Sequence, residues 1–144
     1  MNERAESLAR LTDYFQSITR ESVGMMQSFY VDDAYFRDPF NDVSGIDTIK
    51  VIFTKMFDHL HEPRFVITES VLQHDTAVLF WDFTFRMKSL KPNQTMLIKG
   101  SSHLRFAADG RVQYHVDYWD AAGELYEKLP VIGILMRWLK KRAG

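Results

Sequence analysis

Four extended runs, 65–73, 77–87, 95–107 and 111–120, follow one another in the second half of the chain with only short polar turns between them. β-branched and aromatic residues fill the runs, and the segments 89–94 and Asp109-Gly110 carry turn residues. Strands this long, joined by connections this short, pair with their sequence neighbours as an antiparallel meander. Alternation then sorts the side chains. Leu79, Trp81, Phe83, Phe85 and Met87 share one face of the second run, opposite Val78, Phe80, Asp82, Thr84 and Arg86. In the last run Tyr114, Val116 and Tyr118 oppose His115, Asp117 and Trp119. Both faces carry apolar groups, so neither is fully wet. One face is expected under helices and the other against a partner subunit.

The first half supplies the helices. Leu8, Leu11, Phe15 and Ile18 recur at helical spacing, with Tyr14 on the same side, and a short second helix is expected through Met25, Met26 and Phe29. Tyr35 to Asp38 reads as extended, because the residue before Pro39 avoids the helical region. Ser44-Gly45-Ile46-Asp47 opens a third helix with Ile49, Ile52, Phe53, Met56, Phe57 and Leu60 on its apolar face, ending before Pro63. Three helices before one sheet define an α+β chain.

After Asp120 come Leu125, Tyr126, Leu129 and Pro130, then the apolar positions Val131 to Leu139 and the cations Arg137, Lys140, Lys141 and Arg142. Two short helices fit 121–142, with the cations at the negative end of the helix dipole. The segment is too short for a bilayer, which needs about 20 apolar residues. It is expected as a C-terminal helical extension capping the open end of the sheet, within a single domain over 1–144. No integral membrane segment is expected.

A net charge of −1 leaves no basic field for nucleic acid. With no cysteine there is no disulfide framework, thiol nucleophile or zinc-thiolate site, and the charged start lacks the apolar core of a signal peptide. A cytoplasmic location fits both. Aromatic residues make up 14% of the chain, a share high enough that some rings are expected to line a cavity or interface as well as a core. No phosphate loop, nucleotide fingerprint or serine elbow is present, so the expected site works without a cofactor. It also lacks a metal, since His115 and Asp117 offer no evident third ligand.

Within Asp33-Ala34-Tyr35-Phe36-Arg37-Asp38-Pro39-Phe40, Asp38 sits among aromatic residues. Apolar walls disfavour its charged form and raise its pKa toward a range useful for proton transfer. The same residue before proline also makes a good turn by bonding nearby backbone amides. Both readings stand.

Helices first, then a long curved sheet, with that run between them and with Ser101-Ser102-His103-Leu104-Arg105-Phe106, Asp109-Gly110-Arg111-Val112 and His115-Val116-Asp117-Tyr118-Trp119-Asp120 following, resemble the nuclear transport factor 2-like superfamily. The likeness is closest to the branch of ketosteroid isomerases and SnoaL-type polyketide cyclases. It implies a cone-shaped α+β barrel: N-terminal helices on a curved, mainly antiparallel sheet, a small apolar molecule in the cone, and a homodimer through the outer sheet face.

For the site, the resemblance implies catalytic roles for Asp38, which matches the isomerases' proton-moving aspartate, for Tyr14, which matches their oxyanion-binding tyrosine, and for His115 and Asp117. It implies that Ser102 binds a substrate oxygen where those enzymes carry a protonated aspartate. Trp81, Phe83, Phe85, Trp119 and Phe36 would form the apolar walls. A hydroxyl is a weaker donor than a carboxylic acid, so isomerase, cyclase or dehydratase chemistry is implied in general, and steroid isomerisation not in particular. A second class of function fits equally: a non-catalytic ligand-binding or dimeric assembly module on the same fold.

Overall fold

The computed structural model describes residues 2–88 and 93–120. Helix α1 spans Glu3–Gln16, and Asn2 caps it by accepting the Arg4 amide at 2.8 Å. The short second helix expected through Met25, Met26 and Phe29 follows as a 3-10 helix, Ser22–Ser28, capped by Phe29. Then come β1 (Tyr30–Arg37), β2 (Asp42–Ser44), α2 (Ile46–His59), β3 (Leu60–Gln73), β4 (Thr76–Met87), β5 (Met96–Phe106) and β6 (Val112–Trp119).

The strands form one sheet in the order β2-β1-β6-β5-β4-β3. The expected meander is its β3-β4-β5-β6 portion, antiparallel throughout, whereas β1 joins β6 in parallel. The sheet is curved and unclosed, with β2 and β3 as its edges, and the helices fill its concave side. This is the α+β cone.

Two boundaries moved, for identifiable reasons. Helix α2 stops at His59 and Leu60 opens β3, five residues before the expected start. Pro63 lies inside that strand, which an edge strand tolerates because the missing N–H would face solvent. The ladder slips between His61 and Arg64, and Glu62 takes a positive φ of 49°, so the bulge absorbs the proline. Strand β1 also reaches back to Tyr30, well before the expected Tyr35.

The core lies between α1, α2 and the concave face. Leu11, Phe15, Met26, Ile49 and Phe53 from the helical side meet Phe36, Leu79, Phe85, Leu104 and Phe106 from the sheet. At roughly 25 cal/mol per Å², each such side chain contributes about 1.5–3 kcal/mol on burial. Gly110 takes a φ of +87° in the β5–β6 turn, and its amide donates to the Ala107 carbonyl at 3.0 Å. The segment 121–142, expected as a helical extension, lies outside the described residues.

Candidate functional site

His115 points from β6 into the cone and is 2% exposed. Its ring is boxed by Phe36 at 4.8 Å, Tyr30 at 5.9 Å and Phe15 at 6.0 Å between centroids. Each ring nitrogen has one polar partner: Nδ1 lies 2.6 Å from the Tyr30 hydroxyl, and Nε2 lies 2.7 Å from Asp117 Oδ1. From the other side Ser102 Oγ donates to the same Asp117 oxygen at 2.5 Å, and Trp81 Nε1–H donates to Ser102 Oγ at 2.9 Å. Two arms of donors therefore converge on Asp117 Oδ1. Oδ2 of that carboxylate takes no hydrogen bond among the described residues.

Strand register builds this chain. Residues 115 and 117 share a face of β6, and Ser102 pairs with Asp117 across β5–β6 and with Leu79 across β4–β5. Trp81 is opposite Gly100, and the indole lies directly over it. Burial and the charge of Asp117 hold the Tyr30 phenol well above its ordinary range, so it stays protonated.

Asp38 follows the end of β1. Its Oδ1 accepts the amides of Phe40 at 2.8 Å and Asn41 at 2.7 Å, and the Asn41 side-chain N–H₂ donates to Oδ1 at 3.0 Å and Oδ2 at 3.1 Å. The turn geometry is therefore present. Burial nonetheless raises the Asp38 pKa, Asp117 adds to the rise through its negative charge, and the amides oppose it.

Two cavities meet here. A small one of about 20 Å³, room for about one water, is bounded by Phe15, Phe53, Phe65, Trp81, Ser102 and His115 with Asp117. A groove of about 690 Å³ runs over the last residues of β6, where Asp38, Asp117, Trp119 and Gly100 line it together with the outer-face residues Phe80, Lys99, Ser101 and Tyr118. Asp117 belongs to both walls. It therefore links the buried histidine to the accessible groove that holds Asp38.

The other residues expected at the site fall into three groups. Phe36 lies against His115, and Phe83 and Phe85, stacked at 5.1 Å, extend the concave face beside Trp81. Trp119 stands at the groove, edge-on to Phe40 at 5.6 Å. Tyr14 stands apart. Its hydroxyl donates to the Ser22 carbonyl at 2.7 Å, its ring stacks on Phe29 at 4.2 Å, and burial pushes its pKa up to about 12. It does not join Ser102.

Tyr30, which sequence reasoning passed over, is the tyrosine that stands against His115. The alternation Tyr30, Ala34, Phe36 puts it on the concave face, but exposed Asp32 interrupts the pattern. The outer face carries Tyr35, Tyr114 and His103, with the Arg105 guanidinium 4.7 Å above the Tyr114 ring. Phe80 and Tyr118 are exposed there, at 39% and 50%. Among the described residues no helix is long and apolar enough to cross a membrane.

The fold has many structural relatives. A protein with a ketosteroid isomerase-like fold from Catenulispora acidiphila DSM 44928, solved with trimethylamine, superposes with a TM-score of 0.71 at 13% identity, over 88% of this chain and 95% of that one. A proposed SnoaL-like polyketide cyclase from Shewanella putrefaciens CN-32 gives 0.71 at 18% identity, over 91% and 98%. AclR, a proposed hydroxylase from Streptomyces galilaeus, gives 0.68 at 19% identity, over 89% and 98%. At such identities the likeness speaks for fold alone. No curated protein matches the sequence. The SnoaL-like domain model matches residues 11–115, most of the chain and nearly all of the cone, and the protein belongs to that family.

Proposed function

We propose that this protein binds a small, mostly apolar molecule carrying a carbonyl or hydroxyl at the groove where Asp38 and Asp117 meet. Asp38 then moves a proton on it without a cofactor, in a reaction of isomerase, cyclase or dehydratase type. The observation that carries this reading is that Asp38 and Asp117 line one groove of about 690 Å³, where burial raises the Asp38 pKa. Two carboxyl groups in unlike environments divide labour: Asp38, whose charge is disfavoured by burial, takes the proton, while Asp117 remains a fixed acceptor of two donors. Structural relatives named as a polyketide cyclase and a hydroxylase give the proposal its chemical neighbourhood. The absence of cysteine fits work in the cytoplasm.

The test is solvent exchange. Incubated in D₂O with the molecule recovered from the purified protein, the native chain should place deuterium at the reacting carbon. Asp38→Asn should slow this by about 10²–10⁴-fold while retaining binding. An unchanged rate overturns the role of Asp38.

A second reading has its own support. The amides of Phe40 and Asn41 on Asp38 Oδ1 give that residue a structural task, as a non-catalytic binding or assembly module would need. Homodimerisation through the outer face belongs to either reading. Exposed Val66 and Val71, outside the groove that Phe80 and Tyr118 help to line, supply its apolar contacts. Val71→Glu should shift sedimentation to the monomer; an unaltered dimer places the contact elsewhere.

A further inference from the structure

We infer that Tyr30 is a positioning residue: it fixes His115 as a neutral ring whose only N–H, on Nε2, is aimed at Asp117. The argument is an accounting of donors. Asp117 as a carboxylate only accepts, so the nitrogen facing it at 2.7 Å carries hydrogen. At Nδ1 two arrangements are conceivable. Either the Tyr30 hydroxyl donates into an unprotonated Nδ1, or an imidazolium donates to the Tyr30 oxygen and the phenol proton must go elsewhere. Tyr30 is wholly buried, and its hydroxyl has no second partner among the described residues. The second arrangement strands a buried donor, which costs about 1–3 kcal/mol. The first leaves every donor of the chain Tyr30–His115–Asp117–Ser102–Trp81 with an acceptor.

The surroundings agree. Phe15 of α1 and Phe36 of β1 cover the ring with carbon, and its polar neighbours are the Tyr30 phenol of β1 and Asp117 of its own strand. Ser102 of β5 reaches it only through Asp117, and Tyr14 of α1 and Asp38 beyond β1 act at one remove, on Tyr30 and Asp117. The Asp117 carboxylate favours a charged ring, whereas burial among these carbons and the stranded phenol proton oppose it. His115 therefore does not take or give a proton as an acid or base would. It is a fixed donor that orients Asp117 Oδ1, and Oδ2 keeps no partner among the described residues. This refines the proton-transfer reading and rests on it only for what Asp117 then does to Asp38.

The test reads the ring itself and needs no substrate. In ¹⁵N-histidine-labelled protein, His115 is assigned by elimination using variants at His59, His61, His74 and His103. Its Nδ1 should show the shift of an unprotonated nitrogen and Nε2 that of a protonated one, unchanged between about pH 5 and 8. In Tyr30→Phe, Nδ1 loses its donor and is free to take a proton next to Asp117, so His115 should begin to titrate within that range. Ser102→Ala should leave the tautomer as it is. An imidazolium or an Nδ1–H ring in the native protein overturns the assignment, as does a Tyr30→Phe ring that behaves like the native one. If Tyr30→Phe does not fold, the native titration decides alone.

Discussion

Trp81 lies flat on Gly100: a Cβ at residue 100 would come within 2.4 Å of the indole Cη2 and 2.7 Å of Cζ2. The glycine is there for its missing side chain, because only bare backbone lets the ring settle on the strand and carry Nε1–H to Ser102. Gly100→Ala should displace the indole and cost about 1–3 kcal/mol in chemical denaturation, as overpacking does, with a change in tryptophan emission. A neutral substitution would show that the indole moves freely there.

Ser102 joins two arms of the site, accepting from Trp81 and donating to Asp117. Ser102→Ala leaves the buried indole N–H without an acceptor and should destabilise by about 1–3 kcal/mol. Trp81→Phe removes that donor together with part of the ring. In a double-mutant cycle the pair should show a coupling of about 0.5–3 kcal/mol. Simple additivity would mean that the hydrogen bond does not contribute to stability.

Asp38 has a signed pH signature. Its pKa in the fold lies above the ordinary 3.8, chiefly through burial, so the folded protein holds the Asp38 proton more tightly than the unfolded chain does. That contribution is complete below the unfolded value and is lost as pH rises through the folded one. Stability relative to Asp38→Asn should therefore decline with rising pH in the window just above 3.8 and then level off. The opposite slope would mean that the amides of Phe40 and Asn41 outweigh burial.

Leu11 tests the seat of the helices on the sheet. It is 1% exposed in the apolar layer that holds Phe15 against the site, so Leu11→Ala should cost about 2–5 kcal/mol. The variant should also loosen the packing around His115, visible as broadened ring resonances. A loss below about 1 kcal/mol would mean that α1 contributes little to the cone.

The fold was legible in sequence because its signals are local. Period-two alternation placed Leu79, Trp81, Phe85 and Met87 on the buried face of β4, and helical spacing placed Leu8, Leu11 and Phe15 under α1. The parallel pairing of β1 with β6 was not legible, because nothing in a short extended run encodes a partner some eighty residues away. Pro63 misled for a definite reason: it was read as a stop, and an edge bulge took it in. Face and resemblance singled out His115, Asp117, Ser102 and Trp81, and the structure joins them in one hydrogen-bonded chain. Tyr14 was carried over from a family position, whereas its hydroxyl is held by a local carbonyl; Tyr30 reaches His115 through a register that exposed Asp32 conceals.

The central claim is that a small molecule occupies the groove beside Asp38 and Asp117. The direct measurement compares the mass of freshly purified protein under native and denaturing conditions, followed by solvent extraction. The expected result is a retained, mostly apolar molecule with a carbonyl or hydroxyl group, which persists in Asp38→Asn. An empty protein in every preparation would contradict the claim and favour the assembly module.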